Sequence, residues 1–543
     1  MRADDLDSRD ASRVQDGLLG GAKGAAAAVP DPDAASPPVP VRRWRAPVSP
    51  PLLALLAFCL GYLAIRLALG GALELDEAEI VHLAQQPRLG YGTQPPLYAW
   101  LQWLAFELCG VNRVSLVAPK ALLLGASCIG LFHAARPLIG RGGALAVSAS
   151  LALFPQLVWE ALRIQTHSVL LTAIAAASLW LYFALLRRPS LARYAGFGLL
   201  CALGLQTKYN YGVFLAAVLG ASLLVPAHRR GLWTRRAWAA LLPALLLVAP
   251  HAAWVARNPA LAFGGTVRKM QEGGAVIGGL PYLERVGQGA LAVLAALVSF
   301  VALPALVYAV LCWRRRRLWR GQGFDRHGFD RSWFDNAGFE HKFAASRFFA
   351  CHYGLCLLLL AGLALTGEVG TIKQRWMIPL LFSLPLGLFV MFPALGREEL
   401  YSDIRRVAGT VALCLLALLP LRLWFGPAVG KTMAQHMPYA QLSQVLQQQC
   451  PLARTVLTDS LVTAGNLRFV RPALHTLLLT EARRERPPLA GPAALVTQAE
   501  TASASLAAFS AVYPEAGPLR RADLHLALED GSGRGAGFMV ACR

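Results

Sequence analysis

Charged side chains are scarce in this chain of 543 residues. They account for 15% of it, against about 25% in an average soluble protein, whereas hydrophobic residues account for 56%. This composition argues against a soluble globular protein. Residues 1–41 are polar and lack an apolar stretch, so we expect a disordered cytoplasmic tail there and no cleavable signal peptide.

The chain has instead a series of apolar runs between residues 50 and 425. A helix that crosses a bilayer needs about 20 such residues, and helices satisfy their backbone hydrogen bonds within the segment. The sequence therefore predicts an all-α polytopic membrane protein of about 11 to 13 spans. Clear examples of these runs are at 51–71, 237–254, 289–313, 376–392 and 407–425.

Acidic residues are few, 31 against 52 basic ones, which gives a formal net charge of +21. The arginines cluster at the ends of apolar runs, as the positive-inside rule expects, so we expect no nucleic-acid partner. The composition suggests a bacterial source and hence the inner membrane. With the arginine clusters in the cytoplasm, the periplasmic segments are 72–94, 165–168, 206–210, 256–265 and 367–376.

The polar C-terminal part differs in texture from the membrane part. Residues 439–450 predict an amphipathic helix, and short strands are predicted at 454–459, 473–479, 492–498 and 537–543. We expect a transmembrane domain at 42–425, with a cytoplasmic insert at 314–347, and a small periplasmic α+β domain at 426–543. Cys450 and Cys542 would be able to pair if that compartment is oxidising; the other eight cysteines lie in or beside apolar helices.

Common catalytic motifs are missing. The sequence has no HExxH zinc motif, no phosphate-binding Walker loop and no paired CxxC. It also has no evident nucleotide-sugar site. Any group transfer would therefore use a donor delivered by other means, for example by lipid.

An acidic cluster, "LELDEAEI" at residues 73–80, follows the first apolar run. One interpretation is a solvated loop, because carboxylates avoid lipid. The other is a site at the membrane boundary, since "QPPLYAWL" follows at 94–101 and its prolines suit the first turn of a helix. That helix start would fix the angle at which the loop returns to the membrane.

A "DE" pair after the first span, followed by a "PPL" helix start, resembles the membrane-embedded, GT-C-type glycosyltransferases that use lipid-linked sugars. These include the protein O-mannosyltransferases of family 39, the bacterial aminoarabinose transferases and the galacturonosyl transferases of lipopolysaccharide. The stretches at 202–215, 249–259, 372–382 and 459–469 are also similar to bacterial members. The resemblance extends from residue 50 to about residue 470.

The resemblance implies that a sugar moves from a polyprenyl monophosphate to a hydroxyl or phosphate acceptor on the outer face, with inversion. Asp76 would be the general base, a role that a carboxylate can fill. Glu77 would orient Asp76 or hydrogen-bond the acceptor, while Glu74 and Glu79 would be solvated. Metal dependence stays open: the acidic pair would be able to bind a divalent cation, whereas a monophosphate leaving group does not require one.

Basic residues at outer helix ends are candidates for the lipid phosphate: Lys208, Arg257, Lys373 and Arg375. Each would alternatively be an interfacial side chain that extends toward water. Two positions depart from relatives. Gln94 stands where some carry a basic residue before the prolines, and His167 stands near a position where many carry an acid.

Two other functions remain open. A flippase or transporter for lipid-linked glycans would place charge near the bilayer midplane. A non-catalytic scaffold would bind partners through the C-terminal domain. The identity of the sugar, and whether the acceptor is a glycolipid or a protein, cannot be read from the sequence.

Overall fold

The computed structural model describes residues 49–232, 234–271, 280–321, 336–486, 492–514 and 519–542. The predicted tail at 1–41 lies outside the described residues, and so do residues 322–335 of the predicted insert. The helices are α1 (Pro50–Leu69), α2 (Leu75–Leu83), α3 (Leu97–Cys109), α4 (Arg113–Ala149), α5 (Trp159–Arg163), α6 (His167–Arg187), α7 (Leu191–Leu205), α8 (Tyr211–Leu224), α9 (Pro226–Leu232), α10 (Trp238–Arg257), α11 (Pro259–Gln271), α12 (Tyr282–Gly321), α13 (Asn336–Leu365), α14 (Ile378–Leu381), α15 (Leu384–Met391), α16 (Glu398–Phe425), α17 (Tyr439–Gln449), α18 (Leu461–Val470), α19 (Leu479–Glu485) and α20 (Ala502–Val512).

Local sequence explains where several helices begin. Pro50 and Pro51 occupy the first turn of α1, and Pro96 is the cap residue of α3, as the "PPL" pattern predicts. Before α4, the side chain of Asn112 accepts a hydrogen bond from the Ser115 backbone while the Ser115 hydroxyl accepts one from the Asn112 backbone. This capping box satisfies two N–H groups that a helix start would otherwise leave unpaired.

In the described part of the chain, seven helices are long and apolar enough to cross a membrane: α1, α4, α6, α10, α12, α13 and α16. Two bent pairs, α8 with α9 and α14 with α15, raise the number to nine if each pair is one span. The count is below the predicted 11 to 13 spans, which assumed about 20 residues a span. α7, which forms from a further apolar run at 191–206, has only 15 residues and is about 22 Å long. α4 counts once, although its 37 residues continue through a kink at Gly140.

The spans differ in how far the protein buries them. In an 18-residue apolar stretch of α6, 72% of the residues are buried in the protein, whereas the figure for α1 is 11%. α6 is therefore a central helix, and the exposed leucines of α1 are available to lipid. The first residues of α6 lie beside the candidate site described below.

The C-terminal part is an α+β unit, as the sequence predicts. Its strands are β1 (Thr455–Thr458), β2 (His475–Leu478), β3 (Ala493–Gln498), β4 (Arg520–Ala527) and β5 (Gly535–Cys542), in the sheet order β2-β1-β3-β5-β4. β2, β1 and β3 are parallel, and β5 is antiparallel to β3 and β4. The four predicted strands and the amphipathic helix α17 are confirmed; β4, an edge strand, was not predicted.

Both faces of this sheet are covered, because successive side chains of a strand point to opposite sides. Val456, Val496 and Val540 pack with α17 on one face. Leu457, Leu495 and Met539 pack with α19 and α20 on the other. Cys450, at the end of α17, forms a disulfide with Cys542 of β5, so the pairing that the sequence leaves open is present.

Candidate active site

The acidic cluster is helical rather than a loop, and this changes which carboxylates act together. Glu74 caps α2, which begins at Leu75. Residues three or four apart share a face of a helix. Asp76 and Glu79 therefore lie on one face, and Glu77 lies on another.

Glu77 is fully buried between two cations from the membrane helices. Arg66 Nη2 of α1 donates to Glu77 Oε2 at 2.6 Å, and Lys120 Nζ of α4 donates to Oε1 at 3.0 Å. Burial raises the pKa of Glu77, but these two positive charges outweigh it and the net pKa is lowered. Glu77 thus stays ionised and anchors α2, with no exposed surface for an acceptor.

Glu74 is also buried, contrary to the expectation that it is solvated. Arg422 Nη1 of α16 donates to Glu74 Oε1 at 3.0 Å, and Gln435 Nε2 donates to the same oxygen at 2.8 Å. Arg163 Nη2 reaches Oε2 at 3.4 Å. The expectation was wrong because the two arginines lie 89 and 348 residues from Glu74 in the sequence. No local pattern shows that they meet it.

The C-terminal unit holds α2 from the other side. The side chain of Asn466, on α18, accepts a hydrogen bond from Leu73 N at 2.6 Å and donates one to Leu73 O at 3.2 Å. At Gly465 a Cβ would lie 2.0 Å from the backbone oxygen of Ala78. Only glycine permits so close an approach of the two helices, and α2 is clamped between the membrane helices and α18.

On the other face of α2, two carboxylates meet three cations. We call these five residues the charge cluster: Asp76, Glu79, Lys208, Lys269 and Arg375. Arg375 Nη1 lies 3.4 Å from Asp76 Oδ2. Lys208, after α7, donates to the Ser168 hydroxyl of α6 at 2.8 Å. Lys269 comes from α11 and is close enough to affect the titration of both Glu79 and Lys208.

Two groups of the charge cluster have pKa values close to neutrality. Burial, and then the neighbouring charge of Asp76, raises the pKa of Glu79 to about 7. Burial, and then the positive charge of Arg375, lowers the pKa of Lys208 to about 8. Glu79 is half-buried rather than fully solvated, and with this raised pKa its protonation changes near physiological pH.

Other candidates lie around the charge cluster with less direct contacts. His167 is buried at the start of α6, with its ring 5.2 Å from that of Tyr98. Gln94 is half-buried in the loop before α3, where its backbone oxygen accepts from Tyr91. Arg257 is exposed at the end of α10 and Lys373 is half-buried; neither has an ion pair or side-chain hydrogen bond in the described ranges.

An aromatic wall stands beside this loop. The rings of Tyr209 and Trp254 each stack on His251 with centroids 5.9 Å apart. His251 Nδ1 is 2.7 Å from the backbone oxygen of Leu89. At Gly90 a Cβ would come within 2.3 Å of Trp254. The wall fixes the loop between α2 and α3 against α10.

The sequence analysis did not identify two basic residues, Lys269 and Arg422, because neither lies in a recognisable motif. Lys269 was not singled out because it follows Arg268 on an amphipathic helix and looks like a solvated residue. Arg422 was assigned to the end of a span. Across the described residues, no group of three or more His, Cys, Asp or Glu side chains is placed to hold a metal ion.

Several known proteins are similar to this chain in sequence or in fold. The family described as dolichyl-phosphate-mannose-protein mannosyltransferase matches residues 93–254. Lipopolysaccharide core galacturonosyltransferase RgtB of Rhizobium johnstonii is 31% identical over 432 residues, which cover 78% of this chain and 81% of that protein. RgtA of the same organism is 30% identical, with the same coverage.

The chain belongs to the GT-C glycosyltransferase family of the lipopolysaccharide galacturonosyltransferases. Its fold agrees: ArnT from Cupriavidus metallidurans in the apo state superposes with a TM-score of 0.56 at 14% identity, covering 90% of this chain and 97% of ArnT. A second ArnT structure, bound to undecaprenyl phosphate, has a TM-score of 0.53. The resemblance to GT-C glycosyltransferases noted in the sequence is thus confirmed, and the chain is a multi-pass membrane glycosyltransferase.

Proposed function

We propose that this glycosyltransferase moves a uronic acid from a polyprenyl-phosphate donor to a sugar hydroxyl of lipopolysaccharide. The observation that carries the proposal is the charge cluster, in which two carboxylates of one helix face meet three cations from other segments. Carboxylates suit the activation of a hydroxyl. Cations suit a departing lipid phosphate.

Asp76 is the general base. It accepts the proton of the acceptor hydroxyl while the hydroxyl oxygen attacks the anomeric carbon. The bond from that carbon to the phosphate oxygen breaks, and polyprenyl phosphate leaves. A single displacement of this kind inverts the anomeric centre. The negative charge of Asp76 also stabilises the oxocarbenium character of the transition state.

The cations suit an anionic donor. A polyprenyl-phosphate uronate has one charge on its phosphodiester and one on its carboxylate. In the charge cluster, three cations against two carboxylates leave an excess of positive charge. Arg375 can bind phosphate with two parallel hydrogen bonds, whereas Lys208 and Lys269 act as point charges. With both carboxylates of the cluster ionised, the phosphodiester alone balances the single excess positive charge. The choice of a uronate therefore rests on the relatives, which are named as galacturonosyltransferases.

The relatives support the acceptor. RgtA and RgtB are named for the lipopolysaccharide core, and ArnT has been crystallised with undecaprenyl phosphate. By analogy, the acceptor is a glycolipid on the periplasmic face of the inner membrane. Lys373, Arg257, Gln94 and His167 remain proposed contributors to donor binding around the cluster.

The test uses the purified full chain in nanodiscs with a polyprenyl-phosphate galacturonate donor and a lipopolysaccharide core acceptor. Product is measured by mass spectrometry. A matched donor that carries galactose tests whether the sugar carboxylate is required. We expect transfer of galacturonate and little transfer of galactose. Asp76→Asn should lower turnover by about 10²- to 10⁴-fold, the usual contribution of a general base.

Folding controls accompany the activity measurements. Asp76→Asn should elute and melt like the wild type, because Asp76 makes one long ion pair and is not fully buried. Equal use of the two donors would contradict the uronate proposal. Movement of the lipid-linked sugar across the bilayer without a glycosylated product would favour the flippase function instead.

A further inference from the structure

A second concentration of positive charge lies at the other end of α16 from the candidate active site. Arg422 of α16 contacts Glu74, whereas Asp403 lies 19 residues earlier on the same helix. At 1.5 Å per residue, this separation is about 28 Å. That is close to the thickness of about 30 Å of a bilayer's hydrocarbon core. Asp403 and its neighbours therefore stand at the opposite membrane boundary.

Asp403 forms ion pairs with two of three arginines there. Arg315 of α12 donates to Asp403 Oδ2 from Nε at 2.8 Å and from Nη2 at 2.7 Å. Arg406 is 3.5 Å from the other oxygen and is 76% exposed, and Arg314 is exposed as well. One carboxylate thus stands against three arginines in charge, and the charge of Asp403 is largely taken up by Arg315.

These side chains line a cavity between α12 and α16. Its volume is about 430 Å³, and its lining consists of Leu311, Val407, Asp403 and the three arginines. Sites for small ligands usually range from about 300 to 1,000 Å³. Leu311 and Val407 belong to spanning helices, so the cavity has an apolar side toward the membrane interior and a cationic side toward water. Trp313, beside it on α12, is 64% exposed, as is usual at a membrane interface.

We propose that this cavity binds the headgroup of an anionic phospholipid. The phosphodiester pairs with Arg314 and Arg406, and the acyl chains run along Leu311 and Val407. A lipid suits the cavity better than a free phosphate, because a free anion has no use for the apolar side. Basic pockets between spanning helices commonly bind anionic headgroups. This site is separate from the proposed transfer reaction.

The test measures binding of phosphatidylglycerol and of phosphatidylcholine to the full chain in neutral detergent by native mass spectrometry. The pocket variant is Arg314→Gln with Arg406→Gln. The control variant is Arg187→Gln with Arg188→Gln, an exposed arginine pair at the end of α6 that makes the same change in charge. Both variants are first checked by size-exclusion chromatography.

We expect phosphatidylglycerol to bind in preference to phosphatidylcholine. The pocket variant should bind it about 30-fold more weakly, since each arginine near a headgroup contributes roughly a factor of five. The control variant should bind like the wild type. Equal binding of the two lipids, or an equal loss in both variants, would overturn the proposal. So would full displacement of phosphatidylglycerol by millimolar inorganic phosphate, because the site would then bind a free anion.

Discussion

Replacing Glu77 with glutamine should destabilise the protein rather than disable its chemistry alone. Glu77 neutralises Arg66 and Lys120, which are 5% and 0% exposed. Glutamine fits the same space and keeps one oxygen that can accept a hydrogen bond. However, it removes the charge and turns an amide N–H₂ group toward one of the cations. Lys120 would then remain in a low-dielectric site without its counter-charge, and Arg66 would keep only its weaker interaction with Glu74.

Removing one partner from a buried ion pair costs about 3–5 kcal/mol, because the charge left behind stays desolvated. With two cations left by Glu77→Gln, we expect a loss in the upper part of that range. Adding Lys120→Met should recover part of the loss, since it removes one uncompensated charge. The matched control is Glu398→Gln: Glu398 is 65% exposed in its pair with Arg405, and exposed pairs contribute about 0–1 kcal/mol.

The assay is the free energy of unfolding in mixed micelles, with the thermal midpoint and elution profile of each variant measured in parallel. The ion-pair account predicts a large loss for Glu77→Gln, a smaller loss for the double variant and almost none for Glu398→Gln. If Glu77→Gln is as stable as Glu398→Gln but inactive, Glu77 acts in the reaction and the reasoning is refuted.

Three further predictions concern the disulfide, the charge cluster and the clamp on α2. Cys450→Ser with Cys542→Ser should cost about 2–5 kcal/mol, and a reductant should lower the thermal midpoint of the wild type but not of this variant. As pH increases, kcat/KM should rise as Glu79 ionises near pH 7 and fall as Lys208 loses its proton above about pH 8. A Glu79→Gln variant whose kcat/KM still rises near pH 7 would contradict this assignment. Gly465→Ala should push α2 out of place and lower turnover by up to about 10²-fold, and unchanged turnover would show that the close contact is not needed.

Much of the architecture follows from local patterns. Apolar runs predict the spans, and alternating side chains predict most of the C-terminal strands. The missed strand β4, "RRADLHLA", also alternates: Ala522, Leu524 and Leu526 are half-buried between exposed residues. Its charged neighbours hid this pattern, as is common for an edge strand whose outer face is solvated.

The candidate site was less predictable because its contacts are not local. Adjacency in "DE" grouped Asp76 with Glu77, whereas the helix places Asp76 with Glu79. Only tertiary contacts separate their environments, since Glu77 meets Lys120, 43 residues away, and Asp76 meets Arg375, 299 residues away. No sequence motif predicts contacts between residues so far apart in the chain. The sequence therefore predicts the chemistry of the cluster more closely than the role of each carboxylate.

The most direct test of the central claim is a mass-spectrometric comparison of lipopolysaccharide and polyprenyl-phosphate sugars from three strains. These are the wild type, a deletion strain, and the deletion strain complemented with Asp76→Asn. If Asp76 is the general base of a uronic acid transfer, the deletion removes one uronic acid from lipopolysaccharide and its lipid-linked donor accumulates. Asp76→Asn then restores neither, although the protein is present in the membrane. Unchanged lipopolysaccharide in the deletion strain, or full restoration by Asp76→Asn, would contradict it.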